Sequence, residues 1–221
     1  MAVYEFAIQR NVYLRNTLMG YYSIDFESYG QSGKLSFLHI LKNNYLSKKE
    51  IDLIDAKDEA KDKIYNFLLD YDKKYKIIEN MLVCRIPRSK TYFKESQLYF
   101  QQVIKEAVAL ANRNLNNRLI DGIKYITRIK DVATTHLSKN QQADDIMPYP
   151  GITKDSCDIS NEVRGRTILL IDDIYTLGVG VVEDCIQALY DKGAKEVIFY
   201  AVGRTVKKTN SVATKLDISW K

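Results

Sequence analysis

Cysteine is scarce in this chain, histidine scarcer still, and apolar runs are short. The three cysteines, Cys84, Cys157 and Cys185, lie far apart and form no Cys-x-x-Cys pair. Neither a zinc ribbon nor a disulfide framework fits that spacing, so reduced, buried thiols are expected. No apolar run approaches the roughly 20 residues that cross a bilayer, and no membrane association is expected. The opening Met-Ala-Val-Tyr-Glu-Phe lacks the basic-then-apolar layout of a signal peptide, which makes the cytoplasm the expected location. The lone tryptophan, Trp220, stands in a short, mostly polar tail running from Val206 to Lys221. Of the two histidines, His39 lies among apolar residues on a helical stretch, where a packed role is simpler than a catalytic one.

What the chain does contain is enough apolar material for a sizeable core: 46% of its 221 residues are hydrophobic and 28% charged. That size suits one domain with room for an appendage. A net charge of +5 favours anionic partners, either phosphorylated small molecules or nucleic acid, without choosing between them. Tyrosine is abundant at 16 residues, most of them scattered through the amphipathic first half, where half-buried packing explains them better than base stacking.

Residues 1–33 have an ambiguous period and end in the turn-rich Ser28-Tyr-Gly-Gln-Ser-Gly33. A short helix is expected from Lys34, and Ser47 is a suitable cap for a longer one over Lys48–Lys74, with Ile64, Phe67, Leu68 and Tyr71 on one face. Its interspersed acids and bases read as a solvated face. Residues 1–80 are therefore expected to be a mainly helical cap, and residues 81–221 an α/β core with a short tail. Met81–Ile86 reads as the first core strand, ended by Pro87, with Arg88, Ser89 and Lys90 supplying donors beyond it. Phe100 to Ala111 form an amphipathic helix. The following basic stretch, Arg113 to Lys130, contains Gly122–Thr127 as the expected second core strand; it suits either a solvated edge or nucleic acid. Asp131–Arg164 lacks periodicity and is expected to be a long loop, and Glu196–Val202 is a further buried strand followed by Gly203-Arg204-Thr205.

The most specific stretch is Arg166-Thr-Ile-Leu-Leu-Ile-Asp-Asp-Ile-Tyr-Thr-Leu-Gly-Val-Gly180. Ile168–Ile171 have the branching of a strand covered on both faces, and Asp172 and Asp173 stand at its expected end. The small-residue loop Thr176-Leu177-Gly178-Val179-Gly180 then enters a helix that Gly193 stops. A loop poor in side chains exposes N–H groups to an anion, and the helix dipole reinforces them. Two carboxylates beside a phosphate need another partner, either sugar hydroxyls or a divalent cation. A sugar phosphate satisfies both halves. A phosphatase-like Mg²⁺ site is the alternative, and it would need a further acid from another strand end.

These residues resemble the phosphoribosyl pyrophosphate (PRPP) signature of type I phosphoribosyltransferases, most closely its ComF-like variant: four apolar residues, two acids, two further residues and a Thr-Thr-Gly-Ala-Thr-like loop. The resemblance implies an open, mostly parallel Rossmann-like sheet with a hood built outside the core. It implies that Asp172 and Asp173 bind the ribose hydroxyls and that residues 175–180, Tyr175 included, hold the 5′-phosphate. The turn Arg88-Ser89-Lys90 would grip pyrophosphate, and a flexible loop carrying His136 and Lys139 would close over it, although His136 also reads as a plain polar loop residue. Mg²⁺ would accompany PRPP, held in part by Asp172 and Asp173, and phosphoribosyl transfer to a nitrogen nucleophile is the implied activity. Leu177 and Gly180 depart from the hydroxyl side chains usual in the family, and the zinc ribbon of many ComF-like proteins is missing. A nucleic-acid-associated component of DNA uptake or antiviral defence, binding ligand without turnover, is the other reading. A homodimer or a protein-complex partner is left open.

Overall fold

The computed structural model describes residues 2–27, 36–42, 46, 48–77, 80–133 and 149–206. Its central sheet has six strands: β1 (Tyr4–Ile8), β2 (Leu18–Phe26), β3 (Met81–Arg85), β4 (Leu119–Asp121), β7 (Thr167–Tyr175) and β8 (Glu196–Thr205), in the order β1-β2-β8-β7-β3-β4. Only the edge pair β1/β2 is antiparallel; the other four pairings are parallel. Strands β5 (Ile126–Arg128) and β6 (Cys157–Ile159) form a separate antiparallel ribbon. This is an α/β protein with a mostly parallel sheet.

The core divides between the two sheet faces. Alternate residues of β7 and β8 point to opposite sides, and Ile168–Ile171 and Phe199–Val202 are at most 1% exposed. One face is covered by α1 (Phe37–Lys42), α2 (Glu50–Tyr75) and α3 (Tyr99–Asn112), and the other by α5 (Val181–Asp191) and the β5/β6 ribbon. The expected helical periods are realised: Ile64, Phe67 and Leu68 of α2 and Val103, Ile104, Ala107, Val108 and Ala111 of α3 are buried. Phe67 stacks on Tyr200 with ring centroids 4.0 Å apart, and the buried Tyr200 hydroxyl is paired with Ser23 Oγ at 2.7 Å. Tyr21, Tyr22, Tyr175 and Tyr200 thus serve packing.

Three expectations change. Part of the N-terminal region joins the sheet instead of capping it: β2 lies between β1 and β8, and its residues 20–23 are buried in succession, so the alternation that marks a half-exposed strand never shows. The second core strand is Leu119–Asp121, not 122–127; Gly122 turns the chain, and Ile126–Arg128 pair with β6 instead. Within the stretch expected to be a long loop, residues 149–164 hold α4 (Ile152–Ser156), β6 and a 3₁₀ turn. Ser47 and the tail from 207 to 221 lie outside the described residues; α2 begins at Glu50.

From β3 the chain crosses through α3 to β4 on one side, then returns to place β7 on the other side of β3. The order therefore reverses between β3 and β7, and a crevice outside their carboxyl ends is where open α/β sheets bind ligands.

Candidate functional site

Asp172 and Asp173 stand at this switch point. β7 does not end at them: β8 keeps pairing through Asp172↔Ala201, Ile174↔Gly203 and Tyr175↔Arg204. On the other side β3 stops, its last pairing Arg85↔Ile171 followed by a hydrogen bond from Ile86 N to Ile171 O at 3.1 Å. Pro87, which has no N–H, turns the chain away, leaving both acids beside a gap. Ile171 and Ile174 pack into the same core cluster although they are three residues apart, so the side-chain alternation slips by one across Asp172-Asp173.

The acids are surrounded by cations. Lys42 Nζ lies 3.2 Å from Asp173 Oδ2, with both side chains about one-fifth exposed. Asp172 Oδ1 accepts the Asp173 N–H at 2.9 Å. Burial first, and the charge of Asp173 second, raise the Asp172 carboxyl above the usual carboxylate range; Lys42 and Arg85 pull the other way. Arg85 is largely buried, donates from Nη1 to Ile86 O at 3.3 Å, and has no partner for its buried Nε. Arg88 donates to Gln97 O at 2.6 Å and Lys42 O at 3.3 Å and stacks 4.1 Å from the Phe93 ring. Arg128 donates from Nε to Arg88 O at 2.9 Å, from Nη2 to Pro87 O and from Nη1 to Ser156 Oγ, fastening the ribbon to the turn after β3. That turn is also tied forward: Lys90 pairs with Asp131 at 3.5 Å, Thr91 donates twice to Asp131 Oδ1, and Val132 N donates to Ser89 O. Residues 131–133 lead toward His136 and Lys139, which lie outside the described residues.

The loop after β7 is more occupied than expected. Thr176 Oγ1 is hydrogen-bonded to Thr205 Oγ1 at 2.7 Å, and Tyr175 is a core residue, 1% exposed, whose hydroxyl donates to Glu183 Oε1 at 2.9 Å. Leu177 is 70% exposed, and Gly178 has open space where a Cβ would stand. Gly180 is the N-cap of α5 with φ 82°, and no side chain caps that helix. A Cβ on Gly180 would lie 2.4–2.8 Å from the ring of Tyr13, so the β1–β2 loop fills the place of a hydroxyl side chain there. The first turn of α5 also holds two buried acids: Glu183 faces Tyr175, and Asp184 accepts from Gly151 N and Thr153 N, capping α4. A cavity of about 180 Å³ between the 11–15 loop and α5 is separate from the switch point and contains neither Asp172 nor Asp173.

Asp172, Asp173, Thr176 and the turn 87–90 are thus brought to one edge of the sheet, whereas Tyr175 is withdrawn into the core. Lys42, Arg85, Arg128 and Tyr13 escaped sequence reasoning. Arg85 carried a signal, as a charge at the end of the otherwise apolar Met81–Ile86; the others are joined to the site only by long-range packing. As a resident Mg²⁺ site the donor set fits poorly, because one of the two carboxylates is held by an ammonium and the guanidinium groups of Arg85 and Arg88 also act on the pair. The chain matches no protein-family model, and no curated protein matches it.

Proposed function

We propose that this chain binds a phosphorylated ribose, PRPP in the first instance, and acts as a phosphoribosyltransferase-like protein. The observation that carries the reading is the position of Asp172 and Asp173 at the switch point, between a cationic turn and a small-residue loop that opens a helix. Carboxylates there accept hydrogen bonds from vicinal hydroxyls. The N–H groups of residues 177, 178 and 180 and of the first turn of α5 would serve the 5′-phosphate, while Val179 N donates to Thr176 O within the loop. Arg88 and Lys90 lie on the side where a diphosphate leaves. In the transfer, a nitrogen nucleophile forms a bond to the anomeric carbon as the carbon–oxygen bond to pyrophosphate breaks; pyrophosphate keeps the electron pair, and the nucleophile loses a proton. Positioning and charge stabilisation carry most of such a reaction.

Calorimetric titration of PRPP tests the ligand. Saturable binding by the wild type that Asp172→Asn/Asp173→Asn weakens by at least about tenfold is expected. No heat with the wild type, or unchanged affinity in the variant, would sink the proposal. Binding without turnover is the second reading, favoured by Gly180, whose side-chain space Tyr13 occupies, and by the hydroxyl-free Leu177. Pyrophosphate release with a panel of bases separates the two.

A further inference from the structure

Lys42 belongs to α1, an element outside the parallel core, yet its ammonium pairs directly with Asp173 at the switch point. Its placement is built into the fold. Leu38 and Leu41 anchor α1 at 0% and 2% exposure, so the helix that carries Lys42 is held against the sheet. Gly203 of β8 lets it approach, because a Cβ there would meet Leu38 Cδ1 at 2.9 Å. Arg88 fixes the end of the helix by donating to the Lys42 carbonyl at 3.3 Å. Three cations bear on the two carboxylates: Lys42 is paired with Asp173, Arg85 acts on Asp172, and Arg88 feels the charge of Asp173. Arg85 has a buried donor still without a partner. A divalent metal approaching Asp173 must displace an ammonium and remain among like charges, whereas a diphosphate gains from each cation it meets.

We infer that Lys42 stands in for a divalent cation at Asp173, so that this site binds its sugar diphosphate without metal. The ammonium bridges Asp173 and the ligand's phosphate oxygens, and Arg85 and Arg88 take the remaining charge. This rests on the phosphorylated-ribose reading above.

Titrating PRPP into the full chain in EDTA and again in magnesium tests it, with Lys42→Met and Lys42→Arg beside the wild type. Wild-type affinity should differ by less than about threefold between the two buffers. Lys42→Met should weaken metal-free binding by about 10- to 100-fold, the range for a hydrogen bond to a charged group, with magnesium restoring part of the loss. Lys42→Arg keeps the charge and should retain metal-free binding, which separates a lost cation from a folding defect. Wild-type binding that vanishes in EDTA overturns the inference and leaves the ligand reading standing. Absence of PRPP binding in both buffers overturns the reading and the inference with it. Mn²⁺ titrated into the ligand-free chain and followed by electron paramagnetic resonance supplies a readout free of PRPP: no saturable site is expected in the wild type and one in Lys42→Met. A wild-type Mn²⁺ site unchanged by Lys42→Met would overturn it.

Discussion

Replacing Gly180 by alanine should destabilise the protein through two separable effects. The first is local: Gly180 has φ 82°, a left-handed conformation that costs an L-residue about 1–2 kcal/mol. The second is a contact: the new Cβ would stand 2.4 Å from Tyr13 Cε2, far inside van der Waals range. The backbone that carries Tyr13 is held in place. Asn11 Oδ1 accepts from Tyr13 N at 2.8 Å and Leu14 N at 3.1 Å, Leu14 is 2% exposed, and Arg15 is bound to Gln187 and Asp191 of α5. Overpacking of this kind costs about 1–3 kcal/mol. The two together predict a loss of about 2–5 kcal/mol for Gly180→Ala, or a melting temperature lower by roughly 5–15 °C for a chain of this length. Tyr13→Ala removes the second effect and leaves the first. A double-mutant cycle by urea unfolding should therefore give a coupling of about 1–3 kcal/mol between the two positions, with Gly180→Ala costing only about 1–2 kcal/mol in the Tyr13→Ala background. Strict additivity, or a Gly180→Ala variant as stable as the wild type, would refute the packing of the β1–β2 loop on the 176–180 loop.

Three further outcomes follow from the site and the core. Arg85→Met should leave the ligand-free protein as stable as the wild type or stabilise it by about 1–2 kcal/mol, because it removes a buried guanidinium with an unmatched donor, while weakening PRPP binding by at least tenfold; chemical unfolding and calorimetry read the two halves. Because the Asp172 carboxyl is raised in the folded state, its contribution to stability is complete below the unfolded carboxylate pKa of about 4 and is lost as pH rises toward the folded value. Asp172→Asn should accordingly match the wild type at pH 4 and grow steadily more stable relative to it up to pH 8 in urea unfolding; a constant difference across that range would contradict the desolvation of this partly buried carboxyl. All three cysteines are buried, and burial pushes Cys84 up to about 12, so none should react with a thiol-specific reagent in the native protein, and all three should do so in denaturant.

The elements readable from sequence are those whose surroundings are uniform along their length. β3, β7 and β8 are apolar runs covered on both faces, and α2, α3 and α5 bury a stripe at helical spacing, so neighbouring residues carry the pattern. The pieces at the switch point were legible from local chemistry: Asp172 and Asp173 interrupt an apolar strand, and Pro87 and the glycine-rich loop break their elements. Elements of three residues, such as β4, β5 and β6, are too short to show a period. The hairpin of β1 and β2 was hidden because an interior strand with an aromatic-rich sequence does not alternate. The strand carrying Asp172 continues to Tyr175 because β8 extends beside it, a fact about a neighbour and not about the residues themselves.

By itself the sequence determined that this chain folds around a buried strand carrying two adjacent acids, followed by a small-residue loop and a helix, since burial and backbone chemistry within consecutive residues suffice for that. Only the tertiary structure decided what surrounds the acids. Lys42 comes from a helix about 130 residues away in sequence, Arg85 and Arg88 from the end of another strand and the turn after it, and Tyr13 from a hairpin loop pressed on Gly180. Charge acts through space and not along the chain, so whether paired carboxylates meet a metal or an ammonium depends on which distant side chains the packing delivers to them.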